Sequence, residues 1–179
     1  CPQSETMSIL LTRPLPDSLA LKTRLEADGI ACTVAPMLHI EQEDGIHKTL
    51  DTLSNKSIDG VVLTSRHAVV DASEPLKSLE VYCVGQQTAE HATALGWPKP
   101  KVIAATSDEL IVQLKQHPSQ RLLYLRGKQV SADLPKALPM HHWQEIIVYK
   151  AIAALQMAEH ILTQLQQGSI HTVTFFSAR

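Results

Sequence analysis

Val81-Tyr82-Cys83-Val84-Gly85-Gln86-Gln87-Thr88-Ala89-Glu90-His91-Ala92-Thr93-Ala94-Leu95-Gly96 reads as one strand, one turn and one helix. Val81 to Val84 is a short apolar, β-favouring run that stops at Gly85; Thr88 to Leu95 follows as a helix that Gly96 closes. The same unit recurs on both sides. Downstream, Lys101 to Ala105 leads to a helix capped by Thr106 or Ser107, and Arg121 to Leu125 is a strand ending at Arg126-Gly127. A helix is predicted over Ser131 to Leu138, a β-rich run over Gln144 to Tyr149, a helix from Leu155 to Gln167 with a stop at Gly168, and a strand over Thr172 to Phe176. Upstream, Val61 to Thr64 is a strand preceded by a helix around Gly45 to Leu53. Pro36 and the extended stretch Met37 to Glu41 form a connection, after a strand at Ala31 to Ala35. Ser8 to Thr12 opens the pattern, and Asp17 is placed to cap a helix running to Asp28, with Gly29 as its left-handed stop. Alternation of this kind builds α/β folds, in which parallel sheets are covered by helices.

Bulk properties narrow the function classes. The 179 residues are 44% hydrophobic and 19% charged, enough for a real core in one or two domains. Sixteen Lys and Arg against eighteen Asp and Glu give a net charge of -2, so the basic excess that drives binding to nucleic-acid phosphates is missing. Apolar runs such as Ile9-Leu10-Leu11 and Val61-Val62-Leu63 fall far short of the roughly 20 residues of a membrane span. No nucleic acid and no membrane is therefore the expectation. Cys1, Cys32 and Cys83 are scattered and odd in number, which argues against a disulfide framework and a paired-ligand zinc site. Cys32 and Cys83 sit in apolar stretches and are expected in the core; a reducing cytoplasm is the expected setting. Cys1 to Thr6 has neither a basic start nor an apolar core and reads as an N-terminal extension rather than a secretory signal.

Two stretches echo each other. Val61-Val62-Leu63-Thr64-Ser65-Arg66 is answered by Val173-Thr174-Phe175-Phe176-Ser177-Ala178-Arg179, both strands ending in a hydroxyl and a nearby cation. Ligands of open α/β sheets bind beyond the carboxyl ends of the strands, so both endings are candidate binding elements, and two similar lobes facing each other would make a cleft.

Six motifs then carry a family resemblance. Leu10-Leu11-Thr12-Arg13-Pro14, Val62-Leu63-Thr64-Ser65 with Ala68-Val69, Val84-Gly85-Gln86-Gln87-Thr88-Ala89, Leu123-Tyr124-Leu125-Arg126-Gly127, Val148-Tyr149 and Phe175-Phe176-Ser177 resemble, in order and spacing, the uroporphyrinogen-III synthase family. The resemblance implies two flavodoxin-like lobes with parallel sheets, joined by a two-stranded linker. Lobe one would hold 7–36 and 151–179 and lobe two 41–148, with 37–40 and 149–150 as linker strands and 1–6 as the extension. Family members continue past the match to Ser177 with another strand, a second glycine-threonine-alanine turn and further helices, so lobe one is expected to be incomplete here. Arg66-His67 after Thr64-Ser65, the short segment Val70 to Leu79, and a missing glycine between Pro135 and Trp143 depart from the family pattern.

The activity implied is closure of hydroxymethylbilane to uroporphyrinogen III, with loss of water, a spiro intermediate and inversion of the last pyrrole ring. It implies no cofactor and no metal, and a monomer is expected. Tyr149 is the implied acid, because the resemblance puts the tyrosine of Val-Tyr at the cleft and a phenol donates a proton without carrying charge. Arg13, Thr64, Ser65, Gly85, Gln86, Thr88 and Ser177 are the candidate contacts to the substrate's carboxylates. Exposed amides at helix starts, hydroxyls and a few cations bind such groups without making a protein basic. Each also has a plainer reading as a cap, turn or solvated charge, and Arg126 is a second cation with a structural alternative.

The remaining signals are weaker. Nine histidines include no His-Glu-x-x-His pattern, and the adjacent His141 and His142 point apart on a strand; His67, behind Thr64-Ser65, is the histidine best placed to line a cleft. Trp97, Trp143, Phe175 and Phe176 are expected in cores. The competing reading is a two-lobed module that binds a tetrapyrrole or other polyanion without turning it over. A lone flavodoxin-like or receiver domain is a third, disfavoured because a receiver's acidic cluster and lysine have no counterpart at these strand ends.

Overall fold

The structure, a computed structural model, describes residues 7–53, 57–71 and 73–175; the N-terminal extension, Phe176 and the candidate Ser177 lie outside these. The chain divides into two compact units, one of Cys1–Ile40 with Ala151–Arg179, the other of Glu41–Lys150.

The first unit is built on a parallel sheet ordered β2-β1-β9, with β1 (Ser8–Leu11) between β2 (Ala31–Val34) and β9 (Thr172–Thr174). Leu10 is fully buried and packs with Ile161 of helix α6 (Glu159–Gln166) and with Ile170. Helix α1 (Leu15–Ala27) starts two residues before the cap expected at Asp17. Pro14 is its N-cap residue, and Pro16 fits the first turn because no helical partner awaits its missing N–H. Asp17 instead lies inside the helix, buried. Gly29 does end it, at a φ of 80°, in the left-handed region that side chains rarely occupy. Phe175 corrects another expectation: it is 82% exposed, one residue beyond a strand that has sheet on only one side among the described residues.

The second unit carries the larger sheet, ordered β3-β8-β7-β4-β5-β6. Its strands are β3 (Leu38–Gln42), β4 (Gly60–Leu63), β5 (Glu80–Val84), β6 (Val102–Ala104), β7 (Arg121–Gly127) and β8 (His142–Ala153). From β4 to β8 every neighbouring pair is parallel. The chain winds outward from β4 through β5 to β6, then returns across β4 to lay down β7 and β8. In chain order these five strands read 5-4-1-2-3, the mirror listing of 3-2-1-4-5, whereas flavodoxin has 2-1-3-4-5. The direction of winding therefore reverses between β4 and β7.

Helices α2 (Ile46–Asp51), α3 (Gln86–Ala94), α4 (Ser107–Leu114) and α5 (Leu134–Ala137) belong to this unit. On α4, Leu110 and Leu114 are one turn apart and both fully buried, in a cluster with Tyr82, Tyr124, Leu122, Leu134 and Leu138. Burial of each such leucine contributes about 1.5–3 kcal/mol. Trp97 and Trp143 pack as expected, Trp97 nearly fully buried with its indole N–H on the Val70 carbonyl, Trp143 partly buried with its own on Leu138. Cys32 and Cys83 are buried, and burial pushes the Cys83 thiol up to about 12. Helix α5 is a single turn, shorter than Ser131 to Leu138, because Asp133 caps it on the Lys136 N–H and Pro139 closes the far side. Strand β8 runs past Tyr149 to Ala153. No helix among the described residues is long and apolar enough to cross a membrane.

Candidate functional site

Because β4 to β8 are parallel, whatever follows each strand collects along one edge of the sheet. Along that carboxyl edge lie Tyr149 of β8, Gly127 of β7, Thr64 and Ser65 after β4, and Gly85 after β5. The structure thus brings together Thr64, Ser65, Gly85, Gln86, Thr88 and Tyr149 beside the reversal between β4 and β7.

Thr64 Oγ1 lies 3.0 Å from Tyr124 Oη, so the hydroxyl at the tip of β4 is tied to a buried phenol of β7. Burial pushes the Tyr124 phenol up, and the bond to Thr64 works against it. Ser65 turns the chain: its Oγ accepts from the His67 N–H at 3.2 Å and caps a single 3-10 turn, Arg66–Ala68. At β5 the turn is Gly85, with φ 86°, which frees the backbone to swing directly into α3. Thr88 is buried in the first turn of α3, whereas Gln86 is exposed at its start and its amide donates to Glu90.

The helix ends on this edge differ. The N-terminus of α4 is closed on itself: Thr106 Oγ1 accepts from the Glu109 N–H, and Glu109 Oε2 accepts from the Ala105 N–H at 2.8 Å. The N-terminus of α3 has no side-chain cap and no acidic residue in its first turn. Its leading amides, with the positive end of the helix dipole, present a site for a carboxylate.

Tyr149 is 5% exposed, and its ring meets the His67 ring edge to face, with centroids 5.8 Å apart. Its hydroxyl takes no hydrogen bond among the described residues. Arg126 is spoken for: Nε donates to Glu145 at 2.6 Å, and Nη1 donates to the carbonyls of Gly127 and Lys128 at 3.1 and 3.4 Å. This guanidinium braces the end of β7. Arg13 belongs to the other unit, at the tip of β1, 3.2 Å from the carboxylate of Asp17, whose side chain is 2% exposed. The hydroxyl of Ser18 donates to the Arg13 carbonyl at 2.8 Å, so the first turn of α1 holds both the side chain and the backbone of residue 13.

The histidines divide as their neighbours dictate. His141 is buried; its Nδ1 accepts from the Gln120 N–H, so Nε2 carries the proton donated to the Leu114 carbonyl, and His142 is exposed. No group of three or more His, Cys, Asp and Glu among the described residues is arranged to hold a metal ion.

Gly127 is the residue that sequence reading overlooked. A glycine inside a strand signals a bulge or a close approach, and that signal was present in Leu125-Arg126-Gly127.

Comparison with known proteins agrees with this architecture. The family described as "Uroporphyrinogen-III synthase HemD" matches residues 20–179. The chain belongs to the uroporphyrinogen-III synthase family. A curated relative, the uroporphyrinogen-III synthase of Proteus mirabilis, is 33% identical over 141 residues, which span 68% of this chain and 67% of that protein. Among solved structures, a mutant uroporphyrinogen III synthase of Thermus thermophilus aligns with a TM-score of 0.65 at 17% identity, over 93% of this chain and 71% of that one. The uroporphyrinogen-III synthetase of Helicobacter pylori aligns with a TM-score of 0.50 at 15% identity, over 84% of this chain and 64% of that one. At such identities the structures establish a shared α/β fold. Family membership places the chain among the tetrapyrrole-cyclising lyases of porphyrin and haem biosynthesis.

Proposed function

We propose that the carboxyl edge of the second unit's sheet receives hydroxymethylbilane, and that Tyr149 is the acid that starts its cyclisation to uroporphyrinogen III. The observation that carries this reading is a phenol without a hydrogen-bond partner among the described residues, set in one row with hydroxyls and an uncapped helix start.

The chemistry asks for little more. The Tyr149 hydroxyl gives its proton to the terminal hydroxyl of the substrate, the C–O bond breaks, and water leaves as the pyrrole nitrogen lone pair forms an azafulvene cation. The substituted carbon of the last pyrrole attacks that carbon, and the resulting spiro centre fragments and recloses with the ring inverted. The proton lost as the last ring regains its aromaticity returns to the Tyr149 phenolate, so the balance is hydroxymethylbilane to uroporphyrinogen III plus water. The protein's contribution is to hold a flexible chain in one near-attack geometry and to keep water from the cation. The amides of α3, with Thr64, Ser65 and Thr88, are proposed to take substrate carboxylates, and Gly85 to let the backbone approach them. Gln86 contributes through its backbone amide, since its side chain is engaged by Glu90. Arg13 belongs to the first unit, where Asp17 holds it, and enters no proposed step. His67 packs on the Tyr149 ring and is proposed to steady it.

Incubation with hydroxymethylbilane, followed by separation of the type I and type III isomers, tests the reading. Excess type III that falls to the spontaneous type I on Tyr149→Phe is expected. Type I alone from the unaltered protein would favour a polyanion-binding module instead.

A further inference from the structure

Gly127 and Tyr149 are opposed in a way that regular pairing would not produce. Between β7 and β8 the register runs Arg121 with His142 through Arg126 with Ile147, and then Gly127 pairs with Tyr149, skipping Val148. The extra residue is a bulge, and the residues on either side of a bulge change the face to which the strand's side chains point. Without the bulge Val148 would oppose Gly127, and Tyr149 would be turned to the other side of the sheet.

The glycine completes the arrangement. Gly127 is not among the glycines of positive φ, which are Gly29, Gly45, Gly85, Gly96 and Gly168, so backbone conformation does not require it. Space does. A Cβ on residue 127 would fall 2.5 Å from Tyr149 Cζ, 2.8 Å from its Oη and 2.9 Å from its Cε2. The phenol end of the ring therefore rests on the bare Cα of Gly127. Neighbouring groups hold the seat in place. The Lys128 N–H donates to the Tyr149 carbonyl at 2.8 Å, and Arg126, anchored by Glu145, ties the carbonyls of Gly127 and Lys128.

We infer that the bulge at Val148 and the missing side chain of Gly127 form a positioning device for the Tyr149 hydroxyl, with Arg126 as its brace. The inference rests on the reading of Tyr149 as the acid. Gly127 touches no reacting atom; it acts by where it lets the phenol lie. Misplacing a catalytic group by about 1 Å can cost on the order of a hundredfold in rate.

The test is a double-mutant cycle on kcat and KM for hydroxymethylbilane, using Gly127→Ala, Tyr149→Phe and the pair. Gly127→Ala is expected to lower kcat by at least about tenfold with KM little changed. Added to Tyr149→Phe it should lower kcat by less than about twofold, because residues acting as a unit are not additive. If Gly127→Ala does not yield folded protein, Arg126→Gln loosens the same carbonyls without a steric clash and should show the same pattern, a kcat loss that vanishes in the Tyr149→Phe background. Wild-type kcat in Gly127→Ala alongside an impaired Tyr149→Phe overturns the positioning role alone, as does an equal loss in both backgrounds. Wild-type kcat in Tyr149→Phe overturns the acid reading, and the positioning role with it.

Discussion

The two ends of the second unit's sheet use one steric device for different purposes. At the amino edge Gly60 lies under Tyr82: a Cβ there would fall 2.7 Å from the Tyr82 ring, 3.1 Å from the Glu80 carbonyl and 3.3 Å from Leu122. At the carboxyl edge Gly127 lies under Tyr149 in the same manner. The two phenols differ in what they meet next. Tyr82 is fully buried and donates to the Glu80 carboxylate, with Gln120 beside it; burial first, and then that carboxylate, push its phenol well above the usual range. Lys101 pairs with the same carboxylate, and Lys101 first, Tyr82 second, hold Glu80 below its usual range. Asp59 and Arg121 close the row with a two-pronged ion pair. The amino edge is thus a set of polar groups that satisfy one another. The Tyr149 hydroxyl takes no such bond among the described residues, and the same edge carries a helix start with no side-chain cap. A self-satisfied edge serves stability, whereas an edge with unspent donors can serve a ligand.

Substitutions at the two edges should therefore separate into effects on turnover and effects on stability. The largest expected effect is that of Tyr149→Phe, with kcat lower by about a hundredfold or more and KM nearly unchanged, as steady-state kinetics will show. Next is Gly60→Ala, which overpacks the amino edge and should cost about 1–3 kcal/mol in denaturant unfolding while kcat of the folded fraction stays at the wild-type value. A kcat loss there would break the division between edges. Thr64→Val removes one hydroxyl from the carboxyl edge, and KM should rise about threefold to tenfold, the worth of one hydrogen bond.

Asp59→Asn should have the smallest effect. Arg121, through its side chain and then its backbone N–H, holds the Asp59 carboxyl at about 2, below its ordinary 3.8. A depressed folded value means that the carboxylate's contribution is present above about pH 4 and is lost as pH falls toward 2. Both side chains are more than a third exposed, so solvent screens the pair. Acid unfolding of Asp59→Asn should lose a little of its steepness in that window, with turnover at neutral pH untouched.

Much of this was legible in the amino acids, for definite reasons. Short apolar runs ending in Gly85, Gly96 or Gly168 gave strands and helix stops at sites where only glycine accepts the backbone, and of the two caps offered for α4, Thr106 or Ser107, the structure uses Thr106. What failed was set by tertiary context. Asp17 has the chemistry of a cap but is drawn inside α1 by Arg13, and the proline pair at 14 and 16 starts the helix earlier. The last third of β8, Lys150-Ala151-Ile152-Ala153, is rich in residues that do not favour strands, and pairing within the sheet imposes the strand upon it. The strand order differs from that of flavodoxin because alternation of strands and helices fixes neither the direction of winding nor the place of its reversal. At the site, the row Thr64, Ser65, Gly85, Thr88 followed from strand ends alone. The bulge at Val148 did not, because it is a property of the pairing of β7 with β8 rather than of either stretch.

The most direct measurement is a map of amide chemical shifts on titration with a bilane analogue that lacks the leaving hydroxyl. The account predicts that the shifts concentrate at Ser65, His67, Gly85, Gln86, Thr88, Gly127 and Tyr149, while Asp59, Glu80 and Arg121 stay still. Shifts centred on the amino edge, with the carboxyl edge unmoved, would contradict it.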